Sequence, residues 1–464
     1  MTQPIAPPIR MISFGTLWRY GIGQVGGQVF RDAPATLLPI FMSTMLGVPP
    51  WMSGLAVIVP KLWLILCDPF VGAMSDRFNA RWGRTPFLIA GAIITSIGFA
   101  AMFFVPVAKD PAVSAGLVSF LFFLASTGFS AFSVPYLALS SEVSADGHQR
   151  SRMIAARIIG AIVGVIAGIG LAQPLIGLFG GGMHAWRVTT LVLAALCLVT
   201  MLTTAATMHG RADCATAATP GEGMFRNILH ALREPDFRWL TLTYLLQCIS
   251  QGCSFTVVSF VFILCVGNVN LILPFVLMMS LGSLLSQPLW LALAKRWGNP
   301  ACFLISNLGY ILLSITAFWI TPGDDVLLRL PFGEAISTQQ AIVLVRALPL
   351  AIFNSGFLLF TLSMFTDTVN GAKVRSNNQL NEGVFSGIFT ATEKLSFAIA
   401  PLLSGIVMSA SGFSASTGGI QAQSASALTG ILATYSLIPA GIMALSLLTF
   451  RQYRAATDRR TAAH

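Results

Sequence analysis

Charge is scarce in this chain. Only 9% of its 464 residues are Asp, Glu, Lys or Arg, whereas a soluble globular domain carries about 25%. Seventeen acids and 27 bases cannot cover the surface of a soluble fold of this size. That excludes a soluble enzyme, a disordered scaffold and a nucleic-acid binder. Histidine is also sparse: His148, His184, His209, His230 and His464 stand alone, so no HxxxH or HExxH metal site exists. The seven cysteines (Cys67, Cys197, Cys214, Cys248, Cys253, Cys265, Cys302) form no CxxC pair, and most sit in apolar runs as small soft hydrophobes. The sequence therefore offers no metal centre and no cofactor site. It also lacks a GxxxxGK[ST] loop, a nucleophile elbow and a nucleotide-binding domain, so any work it does is driven by an ion or solute gradient. No cleavable signal peptide is expected: a short polar piece with Pro4, Pro7 and Pro8 leads straight into the first apolar segment.

What is present is hydrophobicity in long runs. The composition is 55% hydrophobic and the mean hydropathy is +0.77. A helix needs about 20 mostly apolar residues to cross a bilayer. Runs set against polar breaks predict twelve spans, near 16–45, 50–75, 86–107, 112–140, 153–179, 187–208, 238–266, 269–293, 300–321, 338–366, 381–410 and 428–450. The fold class is an all-α polytopic membrane protein. Clusters such as Gly21, Gly23, Gly26 and Gly27, and Gly160, Gly164, Gly168 and Gly170, are expected to let helices approach closely in lipid. A row of arginines and lysines from Arg10 through Arg77, Arg84, Arg150, Arg211, Lys295 and Lys373 to Arg460 falls on one side of the threading. The other side holds only Lys109, Arg187 and Arg329. The positive-inside rule then puts both termini in the cytoplasm of a multi-pass plasma-membrane protein, and topology alone accounts for the net charge of +10.

The longest polar interruption, 209–237, begins as a linker and continues as MFRNILHALREPDFR. Met224, Ile228, Leu229 and Leu232 form one apolar stripe of an expected surface helix. The predicted organisation is an N-terminal six-helix bundle (1–208), this cytoplasmic linker (209–237), a C-terminal six-helix bundle (238–450) and a tail (451–464). An internal repeat supports the halves. Cys67-Asp-Pro in the second span returns as Ser286-Gln-Pro in the eighth, and Arg81-Trp-Gly returns as Arg296-Trp-Gly. Duplicated halves point to a transporter with its site between the repeats.

Gly72-x-x-x-Asp76-Arg77-x-x-x-Arg81-Trp82-Gly83-Arg84 resembles the loop motif of the major facilitator superfamily. The RWGR form is similar to the glycoside–pentoside–hexuronide cation symporters, the melibiose permease group. Tyr20-Gly-x-Gly, Asp68-Pro69, Pro135-Tyr136-x-Ala138-Leu139-x-x-Glu142 and Arg157 also look like that group. The resemblance implies the major facilitator fold, two pseudo-symmetric six-helix bundles. The loop motif reads as a charge latch: Asp76 and its arginines sit at a helix end, able to pair across to the neighbouring bundle in one of two alternating states.

Ionisable groups in a bilayer cost at least about 2.5–3.5 kcal/mol each on insertion scales, so each one marks a site. They are Arg31 and Asp32, Lys61 and Asp68, Arg157, Arg346, and Glu393 with Lys394. Asp68 stands out: it lies deep in span two before a proline, and a lone carboxylate in apolar surroundings can load and release a proton. The resemblance places a cation-binding carboxylate at this position and a lysine facing it at Lys394. Lys61 or Lys394 is expected to pair with Asp68. The group's second carboxylate, one turn earlier, is Leu64 here. A sodium site wants several hard oxygens, so this loss tilts the coupling ion towards H⁺ over Na⁺. The resemblance also implies sugar-binding acids where this chain has Gln28 and Ser133. Asp32, one turn from Gln28, is a replacement for the first, and Arg157 matches a substrate-facing arginine. Tyr20, Gln24, Trp63, Gln251 and Asn354 complete the candidate cavity.

The sequence thus reads as a secondary transporter, not an enzyme. It performs cation symport of a sugar, glycoside or related small solute, as a monomer among membrane lipids, with no nucleic-acid partner. An amphiphile or organic-acid carrier on the same scaffold is the alternative, and a membrane sensor is the non-transport alternative.

Overall fold

The glycines of the first span determine how the molecule is put together. The computed structural model describes residues 13–142, 147–209, 231–320, 327–329, 335–375 and 382–461. Helix α1 (Phe14–Met45) is largely buried beyond its first two turns, with Arg31 an exception. A Cβ placed on Gly21 would sit 2.6 Å from the Ala156 carbonyl oxygen, and one on Gly164 would sit 2.7 Å from that of Val25. Only glycine allows α1 and α5 (Gly147–Val165) to touch backbone to backbone. Gly23 and Gly26 do the same against Thr204, Thr200 and Cys197 of α7 (Met183–Met208). These contacts pin one edge of α1, and its polar residues turn the other way.

The remaining helices are α2 (Pro50–Trp82), α3 (Thr85–Ala101), α4 (Pro111–Glu142), α6 (Ala172–Leu178), α8 (Pro235–Phe260), α9 (Ile272–Trp297), α10 (Asn299–Ile315), α11 (Thr338–Arg375), α12 (Glu382–Ala410), α13 (Ala425–Tyr435) and α14 (Leu437–Thr461). A π-helical turn, Ile166–Gly170, joins α5 to α6, and a second, Val261–Cys265, extends α8. A two-residue antiparallel pair, Leu328–Arg329 with Ala335–Ile336, is the β-structure among the described residues. Among those residues, ten helical stretches are long and apolar enough to cross a membrane. Besides these, α1 carries a polar stripe and α3 is shorter, a complement consistent with twelve spans. Outward faces are apolar, with Leu66, Leu285 and Val345 each about 70% exposed, as a lipid-facing surface requires.

Helices α1–α7 pack mainly on one another, as do α8–α14. The two groups meet along α2 against α12, α1 against α8, and the Ile166–Gly170 turn against α9. The sequence repeat appears as repeated geometry. α2 ends at Gly83 with φ of 68°, and α9 ends at Gly298 with φ of 77°, each amide closing on its helix. Such φ values favour glycine, so the recurring Trp-Gly is a helix stop. Each stop is followed by a 17-residue helix with proline in its first turn.

Several helices outrun their apolar spans. α2 continues from 75 to Trp82, α11 from 366 to Arg375, and α14 from 450 to Thr461. Apolarity marks the bilayer, whereas helix ends are set by caps and by stops such as Gly83. The segment 451–461, expected as a tail, is thus the end of α14. Conversely, α3 stops at Ala101, short of 107. Of the surface helix expected from Met224 through Leu232, the part up to 230 lies outside the described residues; 231–233 are helical, with Ala231 buried and Leu232 exposed.

Candidate functional site

A cavity of about 450 Å³ lies between the two groups of helices, lined from both. Each helix contributes a stripe at helical spacing. From α1 come Gln24, Gln28, Arg31, Asp32 and Ala35, and from α2 come Lys61, Leu64 and Asp68. α4 gives Phe122, Ser126, Phe129, Ser133 and Tyr136, while Arg157 comes from α5. Opposite stand Tyr244, Cys248, Gln251 and Phe255 of α8, Asn354 and Leu358 of α11, and Thr390, Glu393, Lys394 and Phe397 of α12.

Two ion pairs cross the cavity. The Lys394 ammonium contacts the Asp68 carboxylate, whose other oxygen accepts a 2.6 Å hydrogen bond from Ser130 Oγ. Glu393 Oε1 accepts from Arg31 Nη2 at 2.5 Å. Successive residues of α12 therefore tie to α2 and to α1. The roughly 100° between neighbouring residues on a helix sends the two side chains to different partners. A polar chain runs down α1: Gln24 Nε2 donates to Gln28 Oε1 at 3.2 Å, and Gln28 Nε2 donates to Asp32 Oδ2 at 2.6 Å. The second Asp32 oxygen lies 3.7 Å from Arg31 Nε. In the facing half, Gln251 donates its amide to Asn354 Oδ1.

Several expected residues sit elsewhere. Lys61 lines the cavity, but it does not pair with Asp68: its ammonium donates to the Arg31 carbonyl at 3.1 Å and lies 5.9 Å from the Phe122 ring centre. Tyr20 is fully buried, stacked on Tyr136 at 4.7 Å in a reciprocal pair of hydroxyl-to-carbonyl hydrogen bonds. Trp63 turns away and donates to Thr127 Oγ1 at 2.9 Å. Neither Tyr20 nor Trp63 lines the cavity; both pack α4 against its neighbours. Arg346 also lies outside it, donating to the Leu313 carbonyl at 2.8 Å.

The latch motif is paired within its own half. Asp76 Oδ1 accepts from Arg84 Nη2 at 2.7 Å, and Arg84 Nη1 donates to Ser75 Oγ at 2.9 Å. Arg77 and Trp82 are exposed, and Gly72 approaches Val134 across α4. The side chains of Arg81 and Glu142 lie outside the described residues.

Sequence reasoning found the charges but missed the aromatic wall of Phe129, Phe132, Tyr244 and Phe397. The part carried by α4 had a signal, Phe122, Phe129 and Tyr136 recurring every seven residues on one helix face.

The far end of the cavity, at the α1–α2 and α12–α13 loops, is clasped by backbone. Gly47 N donates to Ser416 O and Ser416 N to Ser43 O, both at 2.9 Å, and Gly419 N donates to Thr44 O at 3.0 Å. Trp51 N donates to Ser409 Oγ at 3.1 Å. An arrangement of this kind, polar and charged at its centre and closed at one end, suits capture of a small solute between two rigid halves.

A family model described as MFS/sugar transport protein matches residues 19–455. The inner membrane symporter YicJ of Escherichia coli is 21% identical over 451 residues, covering 94% of this chain and 91% of its own. The isoprimeverose transporter of Lactiplantibacillus pentosus is 22% identical over 456 residues, covering 95% and 89%. Among solved structures, a bacterial homologue of the human lysosomal transporter Spinster, inward-facing and occupied, superposes with a TM-score of 0.66. It is 14% identical and covers 98% of each chain, a likeness of fold.

Proposed function

The chain belongs to the MFS/sugar transport protein family, and from that premise we propose that it carries a sugar, glycoside or related solute by cation symport with alternating access. The observation that carries the coupling is the Asp68–Lys394 contact, which joins the two halves inside the cavity. A cation arriving at Asp68 competes with Lys394 for the carboxylate. Loading therefore weakens a tie between the halves and permits the loaded carrier to switch.

The coupling ion is H⁺ in preference to Na⁺. Beside Asp68 stands Leu64, so the local oxygens are one carboxylate and the Ser130 hydroxyl. That set suffices for a proton and is sparse for a hard cation. Gln28, Asp32, Arg157, Ser133, Gln24, Gln251 and Asn354 form the solute site, and Arg31 and Glu393 join it from the two sides. With both termini cytoplasmic, the clasped end faces outward and this state is inward-facing. The Asp76–Arg84 pair is then the released form of the latch, to be re-paired across the halves when the inner face closes. The protein acts as a monomeric carrier with no catalytic step.

Proteoliposomes test this. Radiolabelled sugars and glycosides should accumulate under an inwardly directed proton gradient with Na⁺ absent, and collapse of the gradient should release them. Accumulation only under a Na⁺ gradient would replace the coupling ion. Equilibration without accumulation under either gradient would remove the coupling role from Asp68.

A further inference from the structure

Of the charges read inside apolar spans, only Arg346 stays out of the central cavity. It stands in the third turn of α11, where a rise of 1.5 Å per residue puts it about 12 Å past Thr338. Its Nη2 donates to the Leu313 carbonyl at 2.8 Å, in the last turn of α10. Nε is buried without a partner, and Nη1 makes no hydrogen bond among the described residues. No carboxylate among those residues pairs with it, and the titratable group that acts on it is the neutral phenol of Tyr435. The carbonyls ending α10 carry partial negative charge, but Thr316 Oγ1 already donates to the same Leu313 oxygen at 2.7 Å. A helix end offsets only part of a full positive charge. The surroundings face lipid. Arg346 is itself half-buried, while Ile342 and Val345 of α11, Leu312 of α10 and Trp319 just beyond it are exposed on the outside. An exposed tryptophan past a helix end marks the level at which headgroups begin. The guanidinium therefore sits in the seam between α10 and α11 at headgroup depth.

We propose that Arg346 is the centre of a lipid site: it receives the phosphate of one phospholipid, whose acyl chains lie along Ile342, Val345 and Leu312. In the topology proposed above, this is a lipid of the outer leaflet. A guanidinium presents N–H donors in a fork that fits phosphate oxygens in parallel, charge-assisted hydrogen bonds. The phosphate supplies the counter-charge that the protein does not, at a depth where an uncompensated cation is costly. A neutral headgroup would accept a hydrogen bond and leave that cost in place. An arginine that only reached past the seam into water, stem in lipid and head in solvent, would need no phosphate. The two cases differ in one property, the dependence of lipid affinity on the Arg346 charge. The bound phosphate would hold α10 to α11 through one side chain, since Arg346 already spans them at Leu313. The site takes membrane lipid rather than solute, so it stands apart from the transport cycle proposed above.

Native mass spectrometry of the purified, delipidated full chain tests this, with dioleoyl phosphatidylglycerol as the probe. Dioleoylglycerol, which has the same chains and no phosphate, and inorganic phosphate are the comparisons. The first phosphatidylglycerol should bind the wild-type chain roughly tenfold more tightly than Arg346→Gln, a difference of about 1.4 kcal/mol. Arg346→Lys should fall between the two, and Arg451→Gln, on the extension of α14, should bind as the wild type does. Equal affinity of Arg346→Gln and wild type would overturn the proposal. A loss at Arg451→Gln with none at Arg346→Gln would overturn it too, by moving the phosphate to the bases of the other face. Dioleoylglycerol binding as tightly as phosphatidylglycerol would leave an acyl groove without a phosphate site, and displacement by inorganic phosphate would leave a free-anion site; either result contradicts it. Should Arg346→Gln fail to fold, phosphatidylglycerol carrying a diazirine in its headgroup maps the site on the wild-type chain. The label is expected within 312–319 or 342–350, and its recovery only at the opposite ends of the helices would overturn the proposal.

Discussion

Glu393 and Lys394 are adjacent on α12, yet one reaches α1 and the other α2. This is the most consequential detail at the residue scale, because two opposite charges then hold one helix to the other half. The two pairs are not equal. Arg31 is 48% exposed and Glu393 28%, so water screens their attraction and its loss costs about 1 kcal/mol or less. The expected outcome is that Arg31→Gln or Glu393→Gln slows uptake several-fold with little change in thermal stability. The exchange Arg31→Glu with Glu393→Arg should recover part of the rate, which initial uptake rates in proteoliposomes would check. Failure of the double variant to exceed either single one would mean that the two side chains act independently. Charges inside apolar runs were legible in the sequence because each is costly there. Their partners were legible only as alternatives: Lys61 and Lys394 were both offered to Asp68, and tertiary packing brings Lys394 to it while Lys61 turns to the Arg31 carbonyl. The same ignorance of neighbours explains Tyr20 and Trp63: their polarity announced a hydrogen bond but not that Tyr136 and Thr127 would receive it.

At the scale of elements, α1 is the organiser. Its glycine edge seats it against α5 and α7, and this seating aims Gln24, Gln28 and Asp32 at the cavity. Gly21→Leu would force the helix off Ala156, and overpacking of this kind costs about 1–3 kcal/mol. The unfolding temperature of the purified variant should fall by several degrees and uptake should fall with it. An unchanged unfolding temperature would show that the close approach of α1 and α5 is dispensable. The spans were legible because a bilayer demands long apolar helices. Their ends were less so, since the helical continuation of α2 beyond 75 is polar and is terminated by the backbone geometry of Gly83. Nothing in the local pattern announced the π turns at Ile166–Gly170 and Val261–Cys265, where one extra residue per turn is absorbed within apolar sequence.

For the whole molecule, two groups of helices face each other across a charged cavity that is clasped at one end by Ser43, Thr44, Gly47, Ser416 and Gly419. The repeated Trp-Gly stops and the Asp68–Gln287 correspondence made the duplication visible in the sequence. The clasp was not visible, because its bonds are made by backbone amides and carbonyls that every residue carries. In the proposed cycle the clasp closes one face, while the Asp68–Lys394 tie at the centre responds to the coupling cation. The most direct test reconstitutes the Asp68→Asn variant and compares uphill accumulation under a proton gradient with exchange of labelled for unlabelled solute at equilibrium. The account predicts that accumulation disappears while exchange persists, because an amide cannot cycle a proton but still permits the loaded carrier to switch. Undiminished uphill accumulation by Asp68→Asn would contradict it.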